Sequence, residues 1–250
     1  MTLPVYGNSL SLSQIQGEFG GSNPISLSEY YAGGSYVPAG TVGYPNGGGA
    51  VAIPTNGTIS INNFFGATAF TPGTVTYTSG SGTFTVPSGT TTIAIEIVGG
   101  AGAGGYGARD FGADQDYGGG GGGGGAKSNT SASASGGGQS LSWAVGRGGN
   151  YTDGTYGVAS TVTGSLISSM SGGGGQPGNT GYPNGDGAGG AGGTASGGNV
   201  SNTSGDAGTG GGNNYPGYGG SNYSTGGNGG VGAGAQGDAG AGGYVKFTWS

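Results

Sequence analysis

The chain has 250 residues, of which 73 are glycine and ten proline, with no cysteine or histidine; four basic against ten acidic residues give a formal net charge of −6. This composition excludes a disulfide framework, a thiolate metal site and nucleophilic catalysis of the Ser/His/Asp or Cys/His kind. Basic residues at Arg109, Lys127, Arg147 and Lys246 alone cannot neutralise a run of phosphates, so no nucleic-acid partner is expected.

A chain of this length makes one or two domains. Only seventeen glycines precede residue 99, so composition changes near Val98, whereas regular alternation begins at Thr74. We divide the chain there, into an N-terminal segment, residues 1–73, and a glycine-rich domain, residues 74–250. The first thirty residues lack a basic start followed by an apolar run, and no stretch approaches the ~20 apolar residues of a membrane-spanning helix. Neither secretion by a standard signal nor membrane insertion is expected.

The N-terminal segment carries a weak repeat. Leu10-Ser11-Leu12-Ser13 leads to Ile15, Ile25-Ser26-Leu27-Ser28 to Tyr30 and Tyr31, and Ile59-Ser60-Ile61-Asn62 to Phe64 and Phe65. Each unit alternates apolar and polar residues and then offers a Ser or Asn suited to capping a helical turn, which predicts three short strand-to-turn hooks. Units this short hold no core alone, so they dock on a partner or on one another. Leu12, Ile15, Leu27, Tyr30, Tyr31, Ile61, Phe64 and Phe65 are the candidate attachment residues.

From Thr74 the alternation predicts strands over 74–78, 83–86 and 93–98, with Ile93, Ile95 and Ile97 on one face and a turn at Pro87-Ser88-Gly89. Further strands are expected at 140–145, in a hairpin of 158–162 and 166–170 around Gly164, and at 244–249, where Val245, Phe247 and Trp249 face inward. Between them lie glycine-rich insertions. From Ser171 to Gly243 the large aliphatic residues are Val200 and Val231 alone, too few for a hydrophobic core.

The glycines there keep a three-residue beat: Gly172, Gly175, Gly178 and Gly181, then Asn184, then Gly187, Gly190 and Gly193, and later Gly226, Gly229 and Gly232 before a phase shift to Gly234, Gly237, Gly240 and Gly243. Three residues make one turn of polyproline II. An all-glycine edge lets backbones approach and pair their open N–H and C=O groups laterally. The competing reading of such composition is a disordered linker, but an insertion this long without structure is uncommon inside a compact domain. Turns are expected at Tyr182-Pro183-Asn184-Gly185 and Tyr215-Pro216-Gly217. The fold class is thus all-β: a small antiparallel β-sandwich with large glycine-rich insertions packed as polyproline II helices, preceded by an attachment segment of short strands and turns.

Chemistry-bearing motifs are few. Matches to Gly-x-Gly-x-x-Gly arise by chance here and none sits in a βαβ unit. Asp110, Asp114 and Asp116 form the one acidic cluster; its spacing matches no ion-binding loop, and a solvated loop explains it. Six Asn-x-Ser/Thr triplets follow from abundance alone. Tyrosines beside glycine, asparagine or proline suit either sugar stacking and adaptable recognition or plugging gaps between glycine helices. No enzyme, cofactor or metal site is expected. Tyr182, Asn184, Tyr215, Tyr218, Asn222 and Tyr223 are the candidate receptor contacts.

The order of motifs carries a resemblance. A strand ending in Val86-Pro87-Ser88-Gly89 and the run Ile93-Ala94-Ile95-Glu96-Ile97-Val98-Gly99-Gly100 lead to the glycines of residues 118–125, then to Val145-Gly146-Arg147-Gly148-Gly149, a glycine-periodic stretch, and a closing Gly242-Gly243-Tyr244-Val245-Lys246-Phe247-Thr248-Trp249. Over residues 74–250 this resembles the glycine-rich domain of bacteriophage tail and tail-fibre proteins. The resemblance implies a virion component exposed at a fibre or its tip, with other virion proteins and a bacterial surface glycan or outer-membrane protein as partners. It implies a homo-oligomer, trimers being usual for fibres, although no coiled-coil heptad is present to impose one. The alternatives are a capsid or tail decoration (cement) protein and an ice-binding protein built on glycine helices.

Overall fold

A computed structural model describes residues 3–87, 89–110, 115–134, 138–150, 155–182, 185–232 and 234–250. It is mostly β, with antiparallel sheets.

In the N-terminal segment the three repeats are caps rather than strands. Ser11 caps helix α1 (Leu12–Phe19), and its own N–H returns to Gln14 Oε1 at 2.8 Å, a reciprocal capping box. Ser26 and Ser60 likewise open short 3-10 turns at Leu27–Glu29 and Ile61–Phe64, the latter with Asn63 closing the box. Alternation over four residues was thus a capping signal. Among the described residues here the one strand pair is β1 (Val42–Gly43) with β2 (Val51–Ala52).

Of the attachment candidates, Ile15, Tyr30 and Phe64 are fully buried in one cluster with Leu3, Phe19, Val37 and Ile53, while Leu12, Leu27 and Ile61 pack on its rim. Phe65 is buried against the edge of Tyr6, and half-buried Tyr31 donates its hydroxyl to Gly57 O. The repeats therefore dock on one another, and these buried side chains are spent inside the chain instead of being offered to a partner. Burial also raises the Tyr30 hydroxyl above its ordinary pKa, with Glu29 adding to the effect.

Ten further strands make two five-stranded sheets. One has the order β12 (Ala195–Ser196), β11 (Ile167–Gly172), β10 (Ser160–Gly164), β9 (Ser140–Ala144), β4 (Ser81–Thr85). The other has β13 (Ser201–Thr203), β8 (Lys127–Ser133), β5 (Thr92–Val98), β14 (Tyr244–Trp249), β3 (Gly73–Tyr77). A small hairpin joins β6 (Ala108–Asp110) to β7 (Gln115–Tyr117). The expected strands are present within a few residues, and Thr90 N donates to Pro87 O at 3.2 Å in the expected turn, but β4 and β5 lie in different sheets, so that turn belongs to a crossover.

One apolar cluster draws on both sheets: Phe84, Leu141, Val162 and Met170 from the first, Ile93, Ile95, Ile97, Val245 and Phe247 from the second. Phe84 and Phe247 stack across it with centroids 4.4 Å apart. Strand β8 escapes sequence reading because its buried positions are Ser128 and Thr130; Ser128 Oγ donates to Asn202 Oδ1 at 2.7 Å, so no apolar alternation marks it.

Ile95→Ala should lower unfolding free energy by about 2–5 kcal/mol through a cavity between the sheets, measured by denaturant titration.

Candidate functional site

Strands β5, β9, β11 and β13 each pass at their C-terminal ends into a glycine-rich segment, and β8, β10, β12 and β14 receive the returning ones. Ser160 stitches the junction: its buried hydroxyl donates to Val98 O at 2.6 Å and accepts from Gly146 N at 2.8 Å.

Residues 118–125 form the axis of this region. Their N–H groups point in rotation to three neighbours. Gly118, Gly121 and Gly124 donate to Gly212, Thr209 and Asp206; Gly119, Gly122 and Gly125 to Gly230, Gly227 and Ser224; Gly120 and Gly123, continued by Ala126, to Asn179, Gln176 and Gly173. Their carbonyls accept from three others: Gly187, Gly190 and Gly193; Gly217 and Gly220; Gly105, Gly102 and, at Ala126, Gly99. The period is three throughout, and six segments surround the axis.

With backbone on every side, a side chain has nowhere to go. A Cβ at Gly121, Gly122 or Gly123 would sit 2.1, 2.1 or 2.0 Å from a carbonyl oxygen of a neighbouring segment. The flanking segments need glycine wherever an edge faces other backbone: Cβ atoms at Gly175, Gly178, Gly208 and Gly229 would meet residues 119–123, and those at Gly187, Gly190 and Gly193 the adjoining segment at Asn179, Gln176 and Gly173. That is the sequence beat. The phase shift after Gly232 marks a chain reversal, where Ala235 N donates to Gly232 O; the last segment then turns Gly237 and Gly240 toward residues 101–105.

The reversals farthest from the sheets cluster at one end. Tyr182 and Gly185 exchange hydrogen bonds, as do Gly212 and Tyr215; Asn214 N donates to Asp116 O in β7, and Gly118 bridges to Val231. The turn at 212–215, with Asn214 at φ 62°, replaces the one expected at Tyr215-Pro216-Gly217. The β6–β7 hairpin also lies at this tip and was not anticipated; the alternation in three-residue strands is too short to register.

The six receptor candidates divide. Tyr182 and Tyr215, 67% and 69% exposed, stand at the tip, and Tyr218, 64% exposed, lies one repeat inward. Asn222 and Tyr223 lie at the other end of the axis, beside the sheets. Asn222 Nδ2 donates to Asp206 Oδ1 at 2.8 Å, and half-buried Tyr223 takes the Lys127 ammonium over its ring at 5.0 Å. Asn184 lies outside the described residues, as does Asp114, and the Asp110 side chain is not described. Asp116 pairs with Arg109 at 3.6 Å, and among the described residues no group of three acidic side chains is placed to hold a metal. No helix among the described residues is long and apolar enough to cross a membrane.

Among the described residues one ionic cluster sits on the outer face of the second sheet. Glu96 accepts from Lys127 Nζ at 2.7 Å, Lys246 Nζ at 3.0 Å and the Tyr244 hydroxyl at 2.6 Å. Burial by itself would raise the Glu96 pKa, but the hydrogen bonds from Lys127, Tyr244 and Lys246 outweigh it and hold the carboxyl at about 2. The same burial, with Glu96 as acceptor, pushes the Tyr244 hydroxyl upward. A carboxylate held as an ion by three donors from neighbouring strands is a tie between β5, β8 and β14.

No family model matches the chain, and no curated protein matches it at a significant level.

Gly122→Ala should cost about 3 kcal/mol or more, since rigid backbone must move, whereas Gly185→Ala, with no atom within 4 Å of the added carbon, should leave the thermal midpoint unchanged. The Glu96 carboxyl is depressed in the folded state, so its contribution is complete above its ordinary 4.5 and is lost as pH falls toward about 2. Glu96→Gln should therefore flatten the fall of melting temperature between those pH values and lower the midpoint at pH 7, measured by circular dichroism.

Proposed function

We propose that the chain is a bacteriophage virion protein of the tail or tail fibre that binds a host surface without catalysis. In this reading the two sheets form a β-sandwich, and the glycine segments are polyproline II helices packed in a hexagonal lattice that projects the reversals away from it. The observation that carries the proposal is the gathering of reversals at one end: Tyr182, Tyr215 and the β6–β7 hairpin meet there on a scaffold held mainly by backbone hydrogen bonds. Turns held this way vary without disturbing what supports them, a requirement of a surface that must follow changing receptors.

The opposite end suits attachment. Trp249, at the far end of β14, donates its indole N–H to Thr71 O, which joins the N-terminal unit to the edge of the sheets away from the tip. The partners are other virion proteins at that end and a bacterial glycan or outer-membrane protein at the tip, with the chain working as a homo-oligomer on the particle.

Particles carrying Tyr182→Ala and Tyr215→Ala together should adsorb to host cells at least tenfold more slowly while assembling normally and keeping the protein's melting temperature. Unchanged adsorption by such particles would remove the host-binding role and leave that of a decoration protein.

A further inference from the structure

The segment 215–221 has an edge that the backbone packing leaves free. Added carbons at Gly217 and Gly220 would lie 2.3 and 2.1 Å from the carbonyls of Thr209 and Asp206, and one at Gly219 would lie 1.9 Å from that of Gly226. Two of three edges are therefore closed by neighbours. The third carries Tyr215, Tyr218 and Ser221, all exposed.

We infer that this edge is a binding track for an extended, uncharged polysaccharide strand running from the tip toward the sheets, an inference that rests on the host-facing reading above. In polyproline II geometry residues three apart lie ~9.3 Å apart on one edge, which spaces the two exposed tyrosines at about the span of two pyranose rings. The platform is rigid: Tyr218 N donates to Thr209 Oγ1 at 2.7 Å, and Tyr218 O accepts from Thr209 N at 2.8 Å. Aromatic rings fixed in this way stack on the C–H faces of sugars with little further entropy to lose.

Beyond the rings the track becomes polar. The Asp206 carboxylate accepts from Ser221 Oγ at 3.2 Å and Asn222 Nδ2 at 2.8 Å, which leaves acceptor capacity for sugar hydroxyls. On the adjoining segments Asn228 accepts from Gly219 N at 3.1 Å and donates to Asp238 at 3.2 Å. Carboxylates at Asp206 and Asp238, no basic residue in 215–221 and a net charge of −6 disfavour an acidic polymer. The glycines beside the rings supply no contiguous apolar area, so the edge does not match the core of a protein interface.

The test titrates the intact protein with chitohexaose, cellohexaose and maltohexaose, and with an oligogalacturonate hexamer as acidic control, following tyrosine ring signals by saturation-transfer NMR. At least one neutral hexasaccharide should bind, at least tenfold more weakly to a Tyr218→Ala variant of unchanged melting temperature, with Tyr218→Phe retaining most of the affinity. Binding of none of the neutral hexamers, equal binding by Tyr218→Ala, or equal binding of the acidic control would overturn the track. If Tyr182→Ala with Tyr215→Ala slows adsorption while Tyr218→Ala binds sugar normally, the track fails and the host-binding reading stands. If Tyr218→Ala loses the sugar but particles bearing either set of substitutions adsorb normally, the host-binding reading fails and the carbohydrate site stands.

Discussion

Everything in the glycine-rich half depends on one constraint: the backbone of residues 118–125 is hydrogen-bonded to other backbone on all sides, at separations that no β-carbon survives. In an ordinary domain the interior is filled by side chains, and unpaired peptide groups are kept out of it. Here the peptide groups are the filling, and each is satisfied by a neighbour one segment away. Glycine carries the largest entropic cost of ordering of any residue. That cost is offset because the ordered glycines gain lateral partners and because the sheets anchor one end of most segments.

The sheets are therefore more than a companion fold. Their apolar core, with Ile93, Ile95, Ile97, Val245 and Phe247 from one side and Phe84, Leu141, Val162 and Met170 from the other, supplies conventional burial that the segment region lacks. Ser160 and the Glu96 cluster hold the seam where one kind of packing gives way to the other, and the Glu96 tie spans the strands that start or end the central segments.

Much of this was legible in the residues, for identifiable reasons. Branched and aromatic alternation marked β3, β5, β9 and β14 because their inner faces are apolar. The three-residue beat marked edges of the flanking segments that lie against other backbone, whether the axis or an adjoining segment, where side chains are barred. What stayed hidden has equally physical causes. Strand β8 buries hydroxyls and so has no apolar signature; the caps at Ser11, Ser26 and Ser60 imitate a short strand, because a cap and a strand both put a polar residue between apolar ones. The tyrosines looked alike in sequence, yet Tyr215 and Tyr223 stand at opposite ends of the axis, as only the direction of each segment decides where its residues lie.

Strand β14 lies between β5 and β3 in its sheet although it is the last strand of the chain. The axis, too, has most of its partners far downstream, Gly119 with Gly230 and Gly118 with Gly212 among them. The second sheet and the segment packing therefore close through contacts of very long sequence separation, a slow route. Loss of β14 alone would leave β5 and β3 unjoined while the six neighbours of the axis remained, so the sheet and the segment packing close on different stretches of the sequence.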